Sequence, residues 1–184
     1  MIEYHYICER MRVKMTVLEG FILGIIQGLS EFLPISSSGH LVLFQKLFGI
    51  KENVFSFDIA LHVASLAAVV AVMWKDIIEI LKKPFSKLPL LIIVGTIPTA
   101  LIGMIFSDLF EKLFESGACL GFEFILTGAV LWYAENTRSK NKRLLEMNYS
   151  DALVIGTAQG FAILPAASRS GFTIAGALFR GLNR

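Results

Sequence analysis

Two short stretches of this chain gather the side chains that phosphate chemistry uses. In the first, Gln27 and Glu31 stand four apart and so share a helix face. Ser36, Ser37, Ser38, Gly39 and His40 come soon after. In the second, Ser168, Arg169 and Ser170 precede Thr173. A carboxylate at membrane depth costs about 2.5–3.5 kcal/mol on insertion scales, so Glu31 is expected to face a cavity with a partner. The plainer alternative sets Glu31 at a helix end near the surface. Serines at a helix start cap free N–H groups, and the positive end of the helix dipole suits an anion such as phosphate. Arg169 adds a planar guanidinium, the side chain suited to bidentate phosphate binding. One stretch brings carboxylate, imidazole and hydroxyls; the other brings Arg and hydroxyls. Together they are the parts needed to bind and cleave a phosphoanhydride.

The two stretches are copies of one pattern. Gly24, Gln27, Gly28, Ser36, Ser38 and Gly39 recur 132 positions later as Gly156, Gln159, Gly160, Ser168, Ser170 and Gly171. Only the Leu-Pro pair slips, by one residue, from Leu33-Pro34 to Leu164-Pro165. Each copy is an apolar segment broken by Pro and closed by Ser and Gly. A break at membrane depth frees backbone N–H and C=O groups, so it is tolerated only where protein or a water-filled cavity covers it. Residues 17–48 and 151–182 are therefore expected to form re-entrant helix–loop–helix hairpins.

Composition fixes the setting. Of 184 residues, 55% are hydrophobic and 17% charged. The mean hydropathy is +0.66. Apolar residues fall in blocks, as bilayer spans require. A net charge of +2 gives no reason to expect nucleic acid. Cys8 and Cys119 are far apart and have no metal-ligand spacing. Three simple spans are expected at 57–74, 88–106 and 116–134. The loop 75–87 holds Lys75, Lys82, Lys83 and Lys87, and the segment 135–150 holds Arg138, Lys140, Lys142 and Arg143. The loop 107–115 carries one Lys against Asp108, Glu111 and Glu115. By the positive-inside rule the first and last are cytoplasmic and the middle one outside. An odd number of crossings puts the second copy into the bilayer from the opposite face, which makes an inverted repeat. Trp74, Trp132 and Tyr133 would anchor span ends. Asp58 and His62 are further candidates to line the cavity, and Glu123 is expected near an interface or paired within the protein.

The expected architecture is thus an all-α, polytopic membrane protein. A polar extension, 1–16, precedes the first repeat, 17–134. The basic segment 135–150 leads to the start of a second repeat, 151–184. Arg10, Arg12 and Lys14 favour an inside N-terminus, whereas a re-entrant first hairpin leaves it outside. If the second repeat matches the first, three more spans would come after it, and the sequence reads as a C-terminally shortened form of a longer protein.

At these residues the chain resembles the integral-membrane undecaprenyl-diphosphatase family of the bacitracin-resistance type. The family's first motif is Glu or Gln, three residues, then Glu, and Gln27 and Glu31 meet it. Its Phe-Leu-Pro, Ser-Ser and Gly-His are met by Phe32-Leu33-Pro34, Ser36-Ser37 and Gly39-His40. The second motif, Pro-Gly-x-Ser-Arg-Ser-x-x-Thr, is met by Pro165, Ser168, Arg169, Ser170 and Thr173, with Ala166 in place of Gly. The resemblance implies removal of the terminal phosphate from a C55 polyprenyl diphosphate, recycling of the carrier for cell-wall glycans, bacitracin resistance, and a divalent cation, Mg²⁺ or Ca²⁺. It implies a multi-pass plasma-membrane protein whose site opens to the extracytoplasmic side. Expected partners are the polyprenyl diphosphate and membrane lipids, with a homodimer left open. Arg169 would grip the phosphates. Ser37 would be the nucleophile with His40 as base or acid; alternatively His40 would attack or activate water. Glu31, with Gln27, would hold the metal or orient His40. Ser36, Ser38, Ser168, Ser170 and Thr173 would bind substrate. A lipid-phosphate transporter and an inactive fragment are the rival readings, and metal-dependent phosphate release separates them from the enzyme.

Overall fold

The computed structural model describes residues 15–50, 54–116, 119–137 and 141–183. Expectations placed on Arg10, Arg12, Lys14, Arg138 and Lys140 lie outside the described residues. Among the described residues every long element is helical, which makes the chain all-α as composition and patterning predict. A helix α1 (Val17–Ser30) and a helix α2 (Ser37–Phe48) flank the first break. Next come α3 (Val54–Val72), α4 (Trp74–Lys82), α5 (Lys87–Ile105), α6 (Ser107–Ser116) and α7 (Leu120–Glu135). The second break lies between α8 (Tyr149–Phe161) and α9 (Arg169–Phe179).

Both α3 and α5 have 19 residues and are apolar enough to cross a bilayer. The third expected span is shorter. Helix α7 has 16 residues, starts at Leu120, and buries Glu123 and Thr127 along one side. The segments read as loops at 75–87 and 107–115 each hold a helix instead. Trp74, Ile77, Ile78 and Leu81, and likewise Phe106, Leu109, Phe110 and Leu113, recur at helical spacing. That period, rather than the charges between, sets their structure.

Helix starts repeat along with the sequence. Thr16 caps α1 in a capping box with Glu19, and Asn148 caps α8 in a capping box with Asp151. Ser36 and Ser168 cap α2 and α9, accepting from the N–H of Gly39 and of Gly171. Each pair again stands 132 positions apart.

The largest helix contact joins α5 and α8 through small residues, which let backbones approach closely. A methyl on Gly156 would come within 1.8 Å of the Gly95 carbonyl oxygen, and one on Gly160 within 2.5 Å of Ile102. Thr99 Oγ1 donates to the Gly156 carbonyl at 2.7 Å across this seam. Gly24 and Gly28 occupy the matching positions on α1, and a methyl on Gly28 meets nothing within 4 Å.

The two breaks meet. Ser36 and Ser38 each donate to the Pro165 carbonyl, at 3.1 and 2.9 Å. Ser170 returns the contact by donating to the Leu33 carbonyl at 3.1 Å. Gly39 lies so close to Ala166 that a methyl would sit 2.8 Å from its Cα.

At the start of α8, outside either span, Asp151 is fully buried and ion-paired with Lys142 and Arg180. Lys142 N–H donates to Gly181 O and Asn183 N–H to Lys142 O, which ties the loop before α8 to the chain after α9. Burial alone would push the Asp151 carboxyl up. Bonds from Lys142, the Asn148 N–H and Arg180 outweigh it and hold it at about 2, below its ordinary 3.8.

Gly156→Ala is expected to lower the melting temperature in detergent by about 2–10 °C, because overpacking costs about 1–3 kcal/mol. Gly28→Ala should leave it unchanged or raise it. Equal tolerance at both positions would refute the close seam. Gly39→Ala should destabilise on the same scale by wedging the breaks apart. For Asp151 the depressed value means its stabilisation is complete above 3.8 and fades as pH falls toward about 2. Asp151→Asn should therefore cost on the order of 2 kcal/mol at neutral pH, and its melting deficit should close with acidification. A deficit independent of pH would count against the ion-paired latch.

Candidate active site

Helix α1 ends at Ser30, and the chain turns through the break so that Glu31 faces back toward the start of α2. Ser36 holds a positive φ of 64°, a left-handed conformation that costs a non-glycine residue about 1–3 kcal/mol. The bonds of its hydroxyl to Gly39 N–H and Pro165 O maintain it. This turn brings Ser37 to Glu31: the hydroxyl donates to Glu31 Oε2 at 2.5 Å. The same oxygen accepts from Gln27 Nε2 at 2.9 Å. Glu31 Oε1 makes no hydrogen bond among the described residues.

His40 lies in the first turn of α2, but its Nδ1–H donates to the Ser36 carbonyl at 2.7 Å. Its ring stands edge-on to Phe124, with centroids 5.2 Å apart. The hydrogen-bonded partner of Ser37 is thus Glu31 rather than His40. The Nδ1 bond leaves His40 Nε2 as the free ring nitrogen.

Three polar groups on α3 back this arrangement. Asp58 Oδ1 accepts from Gln45 Nε2 at 2.6 Å, His62 Nε2 lies 3.9 Å from Glu31 Oε2, and Ser65 Oγ accepts from Gln27 Nε2 at 3.3 Å. His62 Nδ1–H is fixed on the Asp58 carbonyl at 2.8 Å. Asp58 and His62 were expected to line the cavity. Ser65 was not expected, although its place one turn beyond His62 on the same face is readable in the sequence. Gln27 is 1% exposed, and its Oε1 is buried without a hydrogen-bond donor among the described residues. Buried acceptors are rarely left so, which makes this oxygen a ready ligand for a cation or for a donor on a bound molecule.

The second break is held from outside by α7. Glu123 is buried and accepts the Ala166 N–H at 2.7 Å. Thr127 accepts from Ser168 N–H at 3.3 Å and donates to Ala166 O at 3.4 Å. Glu123 is thus paired within the protein, as expected, and its role is to fix this loop. Arg169 is the first residue of α9, with an exposed side chain and no ion pair among the described residues. Ser168 Oγ meets Ser170 Oγ at 3.1 Å, and Thr173 Oγ1 donates back to its own helix. Of the residues expected to bind substrate, Ser36, Ser38, Ser170 and Thr173 commit their hydroxyl hydrogens to backbone carbonyls. Ser37 instead gives its hydrogen to a carboxylate. Among the described residues no three His, Cys, Asp or Glu side chains cluster as a metal centre would require.

A site of carboxylate-bound serine, free guanidinium and two helix N-termini is anion chemistry at a break in apolar helices. A family model described as "Bacitracin resistance protein BacA" matches residues 20–184. The undecaprenyl-diphosphatase of Carboxydothermus hydrogenoformans is 57% identical over 170 residues, covering 92% of this chain and 65% of that protein. "Undecaprenyl-diphosphatase 4" of Bacillus thuringiensis (strain Al Hakam) is 49% identical over 170 residues, 92% of this chain and 66% of its own length. An undecaprenyl-diphosphatase of Halothermothrix orenii is 47% identical over 172 residues, 92% and 66% respectively. The chain thus spans just under two thirds of the length of these curated relatives. With its site built at the joined breaks and two helices fit to cross a bilayer, this membrane protein belongs to the bacitracin resistance protein BacA family.

Proposed function

We propose that this chain carries the reacting residues of a polyprenyl-diphosphate phosphatase, which hydrolyses undecaprenyl diphosphate to the monophosphate and phosphate. Its biological output would be recycling of the lipid carrier for cell-wall glycans and resistance to bacitracin. The observation that carries the reading is the Ser37 hydroxyl donating to Glu31 at 2.5 Å, in a cluster whose other hydroxyls are committed elsewhere. A nucleophile needs its base within hydrogen-bond reach, and this pair has it.

In this reading Ser37 Oγ attacks the terminal phosphorus while Glu31 takes its proton. The bond from that phosphorus to the bridging oxygen breaks, and the polyprenyl monophosphate leaves with the electron pair. Water then attacks the phosphoserine phosphorus with His40 Nε2 accepting its proton, the bond to Ser37 Oγ breaks, Glu31 returns its proton to that oxygen, and phosphate leaves, carrying off the proton held by His40. Arg169, unpaired at the head of α9, binds the equatorial oxygens where charge gathers. The N-termini of α2 and α9 add their positive ends. A divalent cation, Mg²⁺ or Ca²⁺, would suit a donor set of oxygens. Glu31 Oε1 and Gln27 Oε1 would hold it, and when bound it would neutralise phosphate charge. His62 and Ser65 keep Glu31 and Gln27 in place from α3.

The two breaks are read as tips of re-entrant hairpins that enter a plasma membrane from opposite faces, an inverted repeat in a multi-pass protein. The lipid tail would lie along the apolar faces and the diphosphate at the tips.

The test is phosphate release from a polyprenyl diphosphate in detergent with Mg²⁺ or Ca²⁺ supplied. Ser37→Ala and Glu31→Gln should each lower turnover by about 10²–10⁴-fold. Undiminished release from Ser37→Ala would remove it as the nucleophile. Arg169→Lys should lose most activity, because a point charge replaces a fork; near-normal turnover there would overturn its role. His40→Asn should slow the second half, so that label from the terminal phosphate accumulates on the protein. Absence of such label with a slowed overall rate would assign His40 to the first half instead.

A further inference from the structure

Helix α4 has no function in the chemistry above, and its surface is unlike that of a connecting loop. It leans on the end of α3 and buries no residue. Trp74, Ile78 and Leu81 are 52%, 37% and 70% exposed, and Phe85 just beyond is 87% exposed. With Ile77 they form one apolar stripe at 3.6 residues per turn. Lys75 and Lys82 fall beside that stripe, while Asp76, Glu79 and Lys83 fall on the far side. There Asp76, Glu79 and Lys83 line a shallow cleft against Ser86 and Pro89 at the start of α5. Ile80 and Leu88 line the cleft as well, and Asp76, Glu79 and Lys83 stay exposed at its edge, while Trp74, Ile78 and Leu81 face outward. None of Lys75, Lys82 and Lys83 is held in an ion pair among the described residues.

We propose that α4 is an interfacial helix that binds the anionic headgroup layer of the membrane. Its apolar stripe would sink to the level where headgroups meet acyl chains, with Trp74 as the rigid anchor. Lys75 and Lys82, on their flexible stems, reach lipid phosphates from the rim of the stripe, and Lys83 adds long-range attraction. The acids, which lipid phosphates would repel, border the cleft against α5 rather than the apolar stripe. Helix α6, at the opposite end of α5, has the apolar spacing without the lysine rim: Asp108 and Glu111 accompany its one Lys, Lys112. It has the shape of an interfacial helix and lacks the anionic preference. The charge difference marks α4 as the lipid-reading element.

The experiment uses the full chain with Trp132→Phe, which leaves Trp74 as the sole tryptophan. It is reconstituted in vesicles of phosphatidylcholine alone or mixed with phosphatidylglycerol. Trp74 emission is read with acrylamide in the water and with lipids brominated near the ester end or near the methyl end. The expected result is quenching about twofold stronger by the shallow bromines than by the deep ones. Acrylamide access should fall when phosphatidylglycerol is present and recover at high salt. Replacing Lys75, Lys82 and Lys83 by Gln should erase the difference between the two vesicle types while shallow quenching persists. Strongest quenching by the deep bromines would overturn the proposal by making α4 a continuation of the α3 span. Shielding from acrylamide and both lipids would overturn it in favour of a protein contact, and indifference to lipid charge would overturn the anionic preference.

Discussion

The site depends on the way two broken backbones satisfy one another. A chain that leaves helical geometry at membrane depth frees carbonyls that lipid cannot solvate, each costing several kcal/mol if left alone. Here the carbonyl freed at Pro165 accepts two hydroxyls from the first break, and the carbonyl freed at Leu33 accepts one from the second. The exchange is reciprocal but unequal: the Leu33 carbonyl also accepts the Ile35 N–H at 2.8 Å, whereas the Pro165 carbonyl relies on the serines of the first break. It also explains Gly39 beside Ala166: the bonds reach only if the backbones nearly touch. A serine cluster that reads as a substrate cradle is, in large part, the fastening between the hairpins.

That fastening sharpens the chemistry by elimination. A hydroxyl has one hydrogen to give. Ser36, Ser38 and Ser170 give theirs to carbonyls across the junction, and Thr173 gives its own to the helix. Ser37 points to the other side of α2 and meets a carboxylate. The position of Glu31 is in turn set by Gln27 and by the polar row on α3. Arg169 needs no internal partner, because its neighbours Ser168 and Ser170 do the fastening. Among the described residues no carboxylate pairs with its guanidinium, which leaves it to the proposed ligand.

Much of this was legible from residue spacing. The helix start at Ser37 after Pro34, the shared face of Gln27 and Glu31, and the matched break at Ser168–Ser170 all obey local rules. Two features were not legible for one reason: partners across a break depend on its path. Ser37 and His40 are three apart, which invites a hydrogen bond within one turn. The left-handed Ser36 instead turns Ser37 toward Glu31, six residues back and across the break, while His40 bonds the Ser36 carbonyl. No spacing rule reaches across a positive φ at a serine. The helices α4 and α6 were missed differently. Charge was read there as a mark of loop, although the apolar period was already present. Ser65 escaped because a lone serine on an apolar helix gains meaning only beside Gln27.

The repeat is also unequal in a way that bears on mechanics. The second hairpin is gripped twice from outside, by the glycine seam of α8 on α5 and by Glu123 and Thr127 of α7 on its break. The first has the same glycines on α1, yet a methyl on Gly28 would meet no atom of the described residues within 4 Å, and Phe21, Leu29 and Phe32 stand mostly exposed beside them. Its support is the apolar cluster of Leu23, Leu41 and Ile50 with Phe57 and Leu61 of α3, together with the polar row of α3 and the serine exchange at the tips. The proposed reacting pair Ser37 and Glu31 therefore sits on the half braced by α3, and Arg169, proposed to bind charge, on the half braced by α5 and α7. In the proposed reaction the nucleophile and the anion grip are thus positioned by different helices and are brought together at the junction of the two breaks.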